Sequence, residues 1–126
     1  MNKEKYDNRG NLIYYKNSDG FEEWIEYDKN NNLIYSKDNN NTEWWEKYDD
    51  DNNKVYAKCS NGTEYWGEYN KNNKLVYQKN TDGFEEWYIY KNNERIGITK
   101  QRFKQIERTK LYLNNKKINR FEIMDI

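Results

Sequence analysis

Residues 6–26 read YDNRGNLIYYKNSDGFEEWIE, and residues 27–47 read YDKNNNLIYSKDNNNTEWWEK. The two stretches are copies of one 21-residue unit, which residues 48–68 and 69–89 repeat again without insertion. A fixed period of this size is typical of a stacked array of identical supersecondary units. The positions that recur are Tyr6, Tyr27, Tyr48, Tyr69 and Tyr90; Tyr14, Tyr35, Tyr56 and Tyr77; Lys16, Lys37, Lys58, Lys79 and Lys100; and Trp24, Trp45, Trp66 and Trp87.

Each unit has the composition of a β-hairpin. In the first unit, residues 11–16 and 21–28 are rich in Leu, Ile, Tyr and Trp, which favour strands. Turn residues separate them at 8–10 and 17–20. Asn replaces Gly in several later turns, and Asn is the next-best residue for the left-handed backbone region. We therefore predict an all-β protein, an antiparallel meander of about nine strands that forms a twisted open sheet or a partly curled one.

Strand alternation assigns the side chains to two faces of the predicted sheet. A four-residue loop at residues 17–20 would set Ile13 opposite Trp24. On this register the four tryptophans form a ladder, each beside a β-branched residue, on a face that also carries Tyr15. The other face is richer in Leu and Tyr, and Trp44 is predicted to lie there.

The chain after Trp87 departs from the repeat. Thr99, followed by apolar residues at helical spacing, predicts a capped helix that runs through Lys110. Phe103 and Ile106 are expected to face inward on this helix. Two further strands are predicted after it, at Leu111–Leu113 and Ile118–Ile123.

Charge divides the chain at nearly the same point. Residues 1–98 contain 14 basic and 19 acidic residues, a net charge of −5, whereas residues 99–126 contain 8 and 3, a net charge of +5. We predict a single domain in which residues 1–98 form the repeat sheet and residues 99–126 form its basic C-terminal cap.

The overall composition predicts a thin sheet. Hydrophobic residues make up 34% of the chain and charged residues 35%, which is poor material for a thick core. Aromatic residues make up 17%, which argues against disorder. Tyr and Trp can bury a ring while keeping a polar atom at the water boundary, so they suit a sheet with solvent near both faces.

Several classes of function are disfavoured by what the sequence lacks. It has no His, the commonest general base and metal ligand, and one cysteine, Cys59. Asp28 and Asp49 open stretches similar to calcium loops but without the Gly and Glu that such loops need, so we interpret them as turn residues. We predict a non-enzymatic protein with no cofactor, metal or catalytic residues. The polar N-terminus and the lack of an apolar run of ~20 residues predict a cytoplasmic protein that does not enter a membrane.

The tryptophan ladder is the leading candidate for a binding surface, because exposed indoles stack on a partner's side chains, on sugars or on bases. The first hypothesis is recognition of a protein partner, and the second is recognition of a carbohydrate or cell-surface glycan by the same ladder. The residues predicted to contact the partner are Trp24, Trp45, Trp66, Trp87, Tyr15 and Trp44.

The basic C-terminal segment supports a third hypothesis, the binding of a nucleic acid or an acidic partner. The unpaired edges of the sheet also predict a homodimer. The residues predicted to contact phosphates or acidic groups are Lys100, Arg102, Lys104, Arg108 and Lys110.

The repeats also carry a resemblance to known families. The pattern Tyr-Asp-x-x-Gly/Asn-Asn-Leu-Ile-Tyr, at residues 6–14 and 27–35, resembles the YD repeats of RHS-type proteins. The SDGFEEW and TDGFEEW segments at 18–24 and 81–87 are similar to tandem Trp/Tyr-Asp repeats of low-GC bacteria and their phages. The resemblance covers roughly residues 4–98 and implies a meander of β-hairpins. Small proteins of this kind on phages and mobile elements include inhibitors of host-defence complexes such as CRISPR nucleases, so the resemblance also implies an inhibitory binding protein.

Overall fold

The computed structural model describes residues 2–115, which form an antiparallel β-meander followed by a helix. Neighbours in sequence are neighbours in the sheet, in the linear order β1 to β10, so the sheet is open. The all-β prediction and the C-terminal helix are confirmed, with ten strands in place of about nine. The elements are β1 (Lys3–Tyr6), β2 (Leu12–Lys16), β3 (Glu22–Tyr27), β4 (Leu33–Asp38), β5 (Glu43–Tyr48), β6 (Lys54–Cys59), β7 (Glu64–Tyr69), β8 (Leu75–Asn80), β9 (Glu85–Lys91), β10 (Glu94–Ile98) and α1 (Lys100–Asn115).

The chain divides into two compact units. The first ends at Gly67 and includes Asn80–Asp82. The second comprises Glu68–Lys79 and the described residues from Gly83 onward. The first unit therefore carries three of the Trp positions of the repeat, and the second carries the fourth and the helix.

The hairpin loops within the repeats contain three residues, one fewer than the sequence analysis assumed. In the first hairpin the Asn17 N–H donates to the Phe21 carbonyl at 3.0 Å, and the Gly20 N–H donates back to the Asn17 carbonyl at 3.2 Å. Gly20 has φ of 89°, the left-handed residue that ends a three-residue hairpin loop. Asn41 fills the equivalent position with φ of 64°, so Asn does replace Gly in these turns, as predicted.

The shorter loop corrects the predicted cross-strand register by one residue. Trp24 lies directly opposite Tyr14, not opposite Ile13. Tyr15 lies opposite Glu23 and is therefore on the face away from Trp24, so its predicted place in the tryptophan ladder is wrong. The same Tyr–Trp register recurs at Tyr35 and Trp45, Tyr56 and Trp66, and Tyr77 and Trp87.

A β-bulge interrupts strict alternation near the other turns. Lys5 lies opposite Tyr14 and the next residue, Tyr6, lies opposite Leu12, so β2 contributes one residue more than β1 at this point. The same shift recurs between β3 and β4 and between β5 and β6. Bulges of this kind increase the local twist of a sheet, and they cannot be found from periodicity alone.

Few side chains are fully buried among the described residues. Ile25 and Ala57 are 8% and 1% exposed in the first unit, and Tyr88 and Ile106 are 4% and 5% exposed in the second. Because burial is so limited, cross-strand pairs and turns must supply much of the stability.

Asp and Asn side chains form hydrogen bonds within their own turns and between turns. Asp28 Oδ1 accepts the backbone N–H groups of Asn30 and Asn32, at 2.8 and 3.0 Å. The Asn32 side-chain amide then donates to the Asn52 side chain in the equivalent turn of the next repeat, at 2.9 Å. The carboxylate of Asp28 is thus used in its own turn, in keeping with its interpretation as a turn residue.

The periodicity ends at the turn between β9 and β10. Asn92 and Asn93, with φ of 53° and 66°, form a two-residue loop that sets Lys91 opposite Glu94. Two consecutive residues in the left-handed region are the mark of a tight hairpin turn. The loop is one residue shorter than the repeat loops, and the bulge that follows them is absent. The next strand is therefore two residues out of the 21-residue pattern: Ile98, not Lys100, lies opposite Trp87.

The helix α1 begins where the sequence predicts. Thr99 Oγ1 accepts the Arg102 N–H at 3.1 Å, which satisfies one free donor of the first turn. The helix packs against β9, with Ile106 buried and Phe103 half-buried. The predicted strand at Leu111–Leu113 is wrong, because the helix continues through it to Asn115; the predicted strand at Ile118–Ile123 lies outside the described residues. Within residues 2–115, no helix is long and apolar enough to cross a membrane.

Candidate binding surface on the tryptophan face

In each 21-residue repeat, a Trp lies directly opposite a Tyr on the neighbouring strand. The side of the strands that carries these pairs is called the tryptophan face. The rings of each pair are tilted by 45–58° and are in contact. The ring centroids are 5.8 Å apart for Tyr14 and Trp24, 5.7 Å for Tyr35 and Trp45, 5.8 Å for Tyr56 and Trp66, and 5.1 Å for Tyr77 and Trp87.

A glutamate on the same face fixes each tyrosine ring. The Tyr14 hydroxyl donates to Glu22 Oε2 at 2.6 Å, and the hydroxyls of Tyr35 and Tyr77 donate to Glu43 and Glu85, each at 2.5 Å. The bond to Glu43 raises the pKa of Tyr35 to about 12. Burial, together with the bond to Glu85, raises the pKa of Tyr77 to about 12. A hydrogen bond from Tyr56 to Glu64 completes the series.

Lysines add positive charge to this aromatic surface. Lys5 Nζ lies 5.3 Å from the centre of the Tyr14 ring, and Lys47 Nζ lies 5.3 Å from the centre of the Tyr56 ring. In the second unit, Lys100 Nζ lies 5.9 Å from the Trp87 ring. These distances allow cation–π attraction. The four recurring lysines that lie in strands are each directly opposite a Glu, as Lys37 is opposite Glu43, whereas Lys100 lies in α1.

The tryptophans are accessible from one side. Trp24 is 41% exposed, and Trp45, Trp66 and Trp87 are half-buried. A carboxylate, an ammonium group and a Tyr–Trp ring pair thus recur together in each of the four repeats. This arrangement can stack on a ring or an apolar side chain, and it can hydrogen-bond through Glu and Lys at the rim of the same contact.

Two of the predicted site residues, Trp44 and Tyr15, lie on the opposite face of the sheet from the tryptophan ladder. Trp44 and Trp45 are adjacent in β5 and point to opposite faces. The Trp44 indole N–H donates to Glu46 at 2.7 Å, and the Tyr48 hydroxyl donates to the same carboxylate. Burial and Glu46 raise the pKa of Tyr48. Trp44 and Tyr15 therefore belong to a second surface.

Gly67 is a feature of this second surface that the sequence analysis missed. It occupies the repeat position of Ile25 and is buried. The Tyr65 ring lies beside it, and a Cβ at Gly67 would stand 2.9 Å from the Tyr65 hydroxyl oxygen. Lys54 Nζ lies 5.4 Å from the centre of the same ring. The signal was a Gly where other repeats have a larger residue, because a Gly inside a strand often marks close approach of another group.

The recurring Tyr–Glu bonds were also missed, although their signal was present. Glu22, Glu43, Glu64 and Glu85 recur at the same 21-residue spacing as the tyrosines that donate to them. A repeated acceptor at a fixed distance from a repeated donor indicates a repeated bond once the register is known.

The basic residues of α1 do not form one equivalent set. Lys100, Lys104 and Arg108 are exposed and recur every four residues, so they share one side of the helix. Arg102 and Lys110 are half-buried, and Lys110 Nζ forms an ion pair with Glu107 at 3.4 Å. Near the end of the helix, Leu111 and Tyr112 are 62% and 59% exposed, a feature absent from the predicted site.

Metal-ligating side chains do not cluster in the part of the chain that the structure describes: no group of three or more Cys, Asp or Glu residues is close enough to hold an ion. Cys59 is a free thiol and half-buried.

Comparison with known proteins gives a likeness of fold. No family model matches the chain, and no curated protein matches it. Solved structures of Tc toxin assemblies do match, each over 71% of this chain and 5% of their own, at 18% identity. They include the TcdB2–TccC3–TEV crystal structure and the Photorhabdus luminescens Tc holotoxin pore, both with a TM-score of 0.61, and the TcdB2–TccC3–Cdc42 crystal structure, with 0.60. The chain thus spans about a twentieth of the length of these toxin chains, and it has an RHS-like β-repeat fold.

Proposed function

We propose that this chain is a non-enzymatic binding protein that recognises a protein partner through its tryptophan face. The observation that carries the proposal is the repeated Tyr–Trp pair, whose rings are fixed by a Tyr–Glu bond and remain open to solvent on one side. Rigid, half-exposed aromatic rings with polar groups at the rim are characteristic of residues that dominate binding energy at protein interfaces. The same glutamates already accept the tyrosine hydroxyls, which supports a structural rather than a catalytic role for them.

The test uses two adjacent tryptophans on opposite faces of one strand. Trp45 lies on the tryptophan face and Trp44 on the other, and both are half-buried. The substitutions Trp45→Ser and Trp44→Ser remove the same side chain at neighbouring positions. Immobilised wild-type and variant proteins are exposed to host lysate, and the retained proteins are quantified by mass spectrometry.

We expect Trp45→Ser to weaken retention of a specific protein by about 30-fold, the loss typical of an interface hot spot, and Trp44→Ser to leave it nearly unchanged. Circular dichroism checks that both variants are folded. Equal loss in the two variants, or no protein retained by the wild type, would refute the proposal.

A glycan is the alternative ligand for the same surface. In the first compact unit, successive tryptophans lie two strands and two residues apart, which is a separation of about 12 Å. They therefore present evenly spaced aromatic platforms to a linear polymer. Binding on a glycan array that is lost in Trp45→Ser would favour this alternative over a protein partner. Nucleic-acid binding through α1 would instead weaken steeply with salt and be lost in a variant combining Lys104→Glu and Arg108→Glu.

Two narrower roles follow from the proposed function. The resemblance to repeats of phage and mobile-element proteins favours inhibition of a host-defence complex of the CRISPR type, which is tested by adding the protein to an RNA-guided nuclease and measuring DNA cleavage. The fold likeness to chains of Tc toxin assemblies favours a repeat module that contacts another subunit of a larger assembly. Unchanged cleavage at saturating protein would exclude the first of these roles for the nuclease tested.

A further inference from the structure

We propose that copies of this chain associate head to tail, with β10 of one copy pairing antiparallel with β1 of the next. The two strands are the ends of the sheet order. All of β1 is exposed, and β10 is exposed except at Ile98. An edge strand presents unpaired backbone N–H and C=O groups that can accept another strand. The proposal concerns the edges of the sheet and is independent of what the tryptophan face binds.

The repeat itself sets the register of such a pair. Ile98 lies opposite Trp87, as Lys37 lies opposite Trp24, so β10 continues the pattern of β4. Ile96 therefore takes the repeat position of Tyr35.

On the other edge, Lys3 precedes Trp24 by 21 residues and takes the position of a repeat tryptophan. Tyr35 lies opposite Trp45 where β4 meets β5. The same register between two copies sets Ile96 of one opposite Lys3 of the next. The two pairs that follow in this antiparallel register are Arg95 opposite Glu4 and Glu94 opposite Lys5.

Both of these following pairs join opposite charges. Cross-strand pairs of opposite charge stabilise a sheet, and like charges directly opposite destabilise it. A symmetric pair of two β1 strands centred on Glu4 would set Glu4 opposite Glu4 and Lys3 opposite Lys5. The charges therefore favour unlike edges over two copies of the β1 edge.

The junction extends to the other side of the first pair from the junctions inside the sheet. Between β4 and β5 the ladder runs from Tyr35 toward the hairpin loop, to Lys37 opposite Glu43, and on its other side β4 has a bulge against β3. β10 pairs with β9 without a bulge, so its far edge is straight and can continue the ladder through Arg95 and Glu94. A contact between two different edges leaves one edge of each kind free, so it produces open chains that grow with concentration, not a closed dimer.

The test is sedimentation velocity of the full chain over a wide concentration range, with charge-reversal variants. We expect the average mass of the wild type to rise with concentration beyond that of a dimer. Arg95→Glu and Glu4→Arg should each weaken association by about tenfold, because each replaces an attraction with a repulsion. The double variant should restore association. Lys71→Glu, an exposed charge in the turn between β7 and β8, is the matched control and should behave as the wild type.

The reversal of the second pair is an independent test. Circular dichroism checks the fold of all four single variants, since Arg95 lies 4.7 Å from the centre of the Tyr88 ring and Lys5 lies 5.3 Å from that of Tyr14. Glu94→Lys and Lys5→Glu should weaken association singly and restore it together. A wild type that stays monomeric at all concentrations, a species that stops at a dimer, or double variants no better than the singles would overturn the proposal.

Discussion

Replacing Gly67 with alanine should destabilise the first unit by about 1–2 kcal/mol. The added Cβ would stand 2.9 Å from the Tyr65 hydroxyl oxygen and 3.2 Å from the Lys54 carbonyl oxygen. Overpacking of this kind costs about 1–3 kcal/mol. Part of this cost is offset, because a glycine inside a strand is itself about 0.5–1 kcal/mol less favourable than alanine. The tyrosine can turn away, but the carbonyl belongs to the neighbouring strand β6 and cannot move without disturbing it.

The assay is urea unfolding followed by tryptophan fluorescence and circular dichroism. Gly97→Ala is the control, because Gly97 is also in a strand but has no atom within 4 Å of the added Cβ, and its stability should be unchanged or raised. Tyr65→Phe removes the atom closest to the new methyl group. The cost of Gly67→Ala should therefore fall by at least about 0.5 kcal/mol in the Tyr65→Phe background. A Gly67→Ala variant as stable as the wild type, or the same cost in both backgrounds, would refute the packing argument.

Three further perturbations test the turns, the tyrosines and the helix cap. The pKa of Tyr35 and of Tyr77 is raised from 10.0 to about 12, so the unfolded chain loses these protons first and stability should fall as pH rises from 10 to 12; circular dichroism against pH that stays flat over this range would contradict it. Hydrogen bonds from backbone N–H groups, chiefly that of Asn32, lower the pKa of Asp28 below 3.8. The stability that the ionised Asp28 adds is therefore present above that pH and lost below it. Asp28→Asn should flatten the acid part of the plot of unfolding free energy against pH. Thr99→Ala should cost about 1 kcal/mol of helix stability, seen as reduced far-ultraviolet ellipticity at 222 nm on heating, whereas Thr99→Ser should keep the cap.

The repeat period was sufficient to predict the hairpins and the use of Asn in turns. The fixed spacing of Trp24 and Trp45 revealed the units, and Asn41 does adopt the left-handed backbone expected of it. The cap at Thr99 followed from local chemistry alone. These features depend on residues close together in sequence, where composition and steric limits are enough.

Cross-strand register could not be obtained in the same way. Whether Trp24 lies beside Ile13 or Tyr14 depends on one residue of loop length, and a left-handed Gly20 can end loops of more than one length. Because side chains alternate, that single residue moved Tyr15 from the tryptophan face to the opposite one. Trp44 and Trp45 were assigned correctly to different faces, since neighbours within one strand do not depend on the loop.

Because few side chains are buried, the rings of the tryptophan face stabilise the fold as well as forming the proposed binding surface, and these two roles must be separated. The ring of Trp45 packs against Tyr35 and also faces solvent, so removing it weakens the fold as well as any contact with a partner. An aromatic pair contributes about 0.5–1.5 kcal/mol beyond its buried area. The hydrogen bond from Trp44 to the Glu46 carboxylate contributes about 1.5–3 kcal/mol. Trp44→Ser should therefore lose at least as much stability as Trp45→Ser. Any large difference between them in binding must then come from the face to which each ring points, and that makes Trp44 the appropriate reference for the proposed surface.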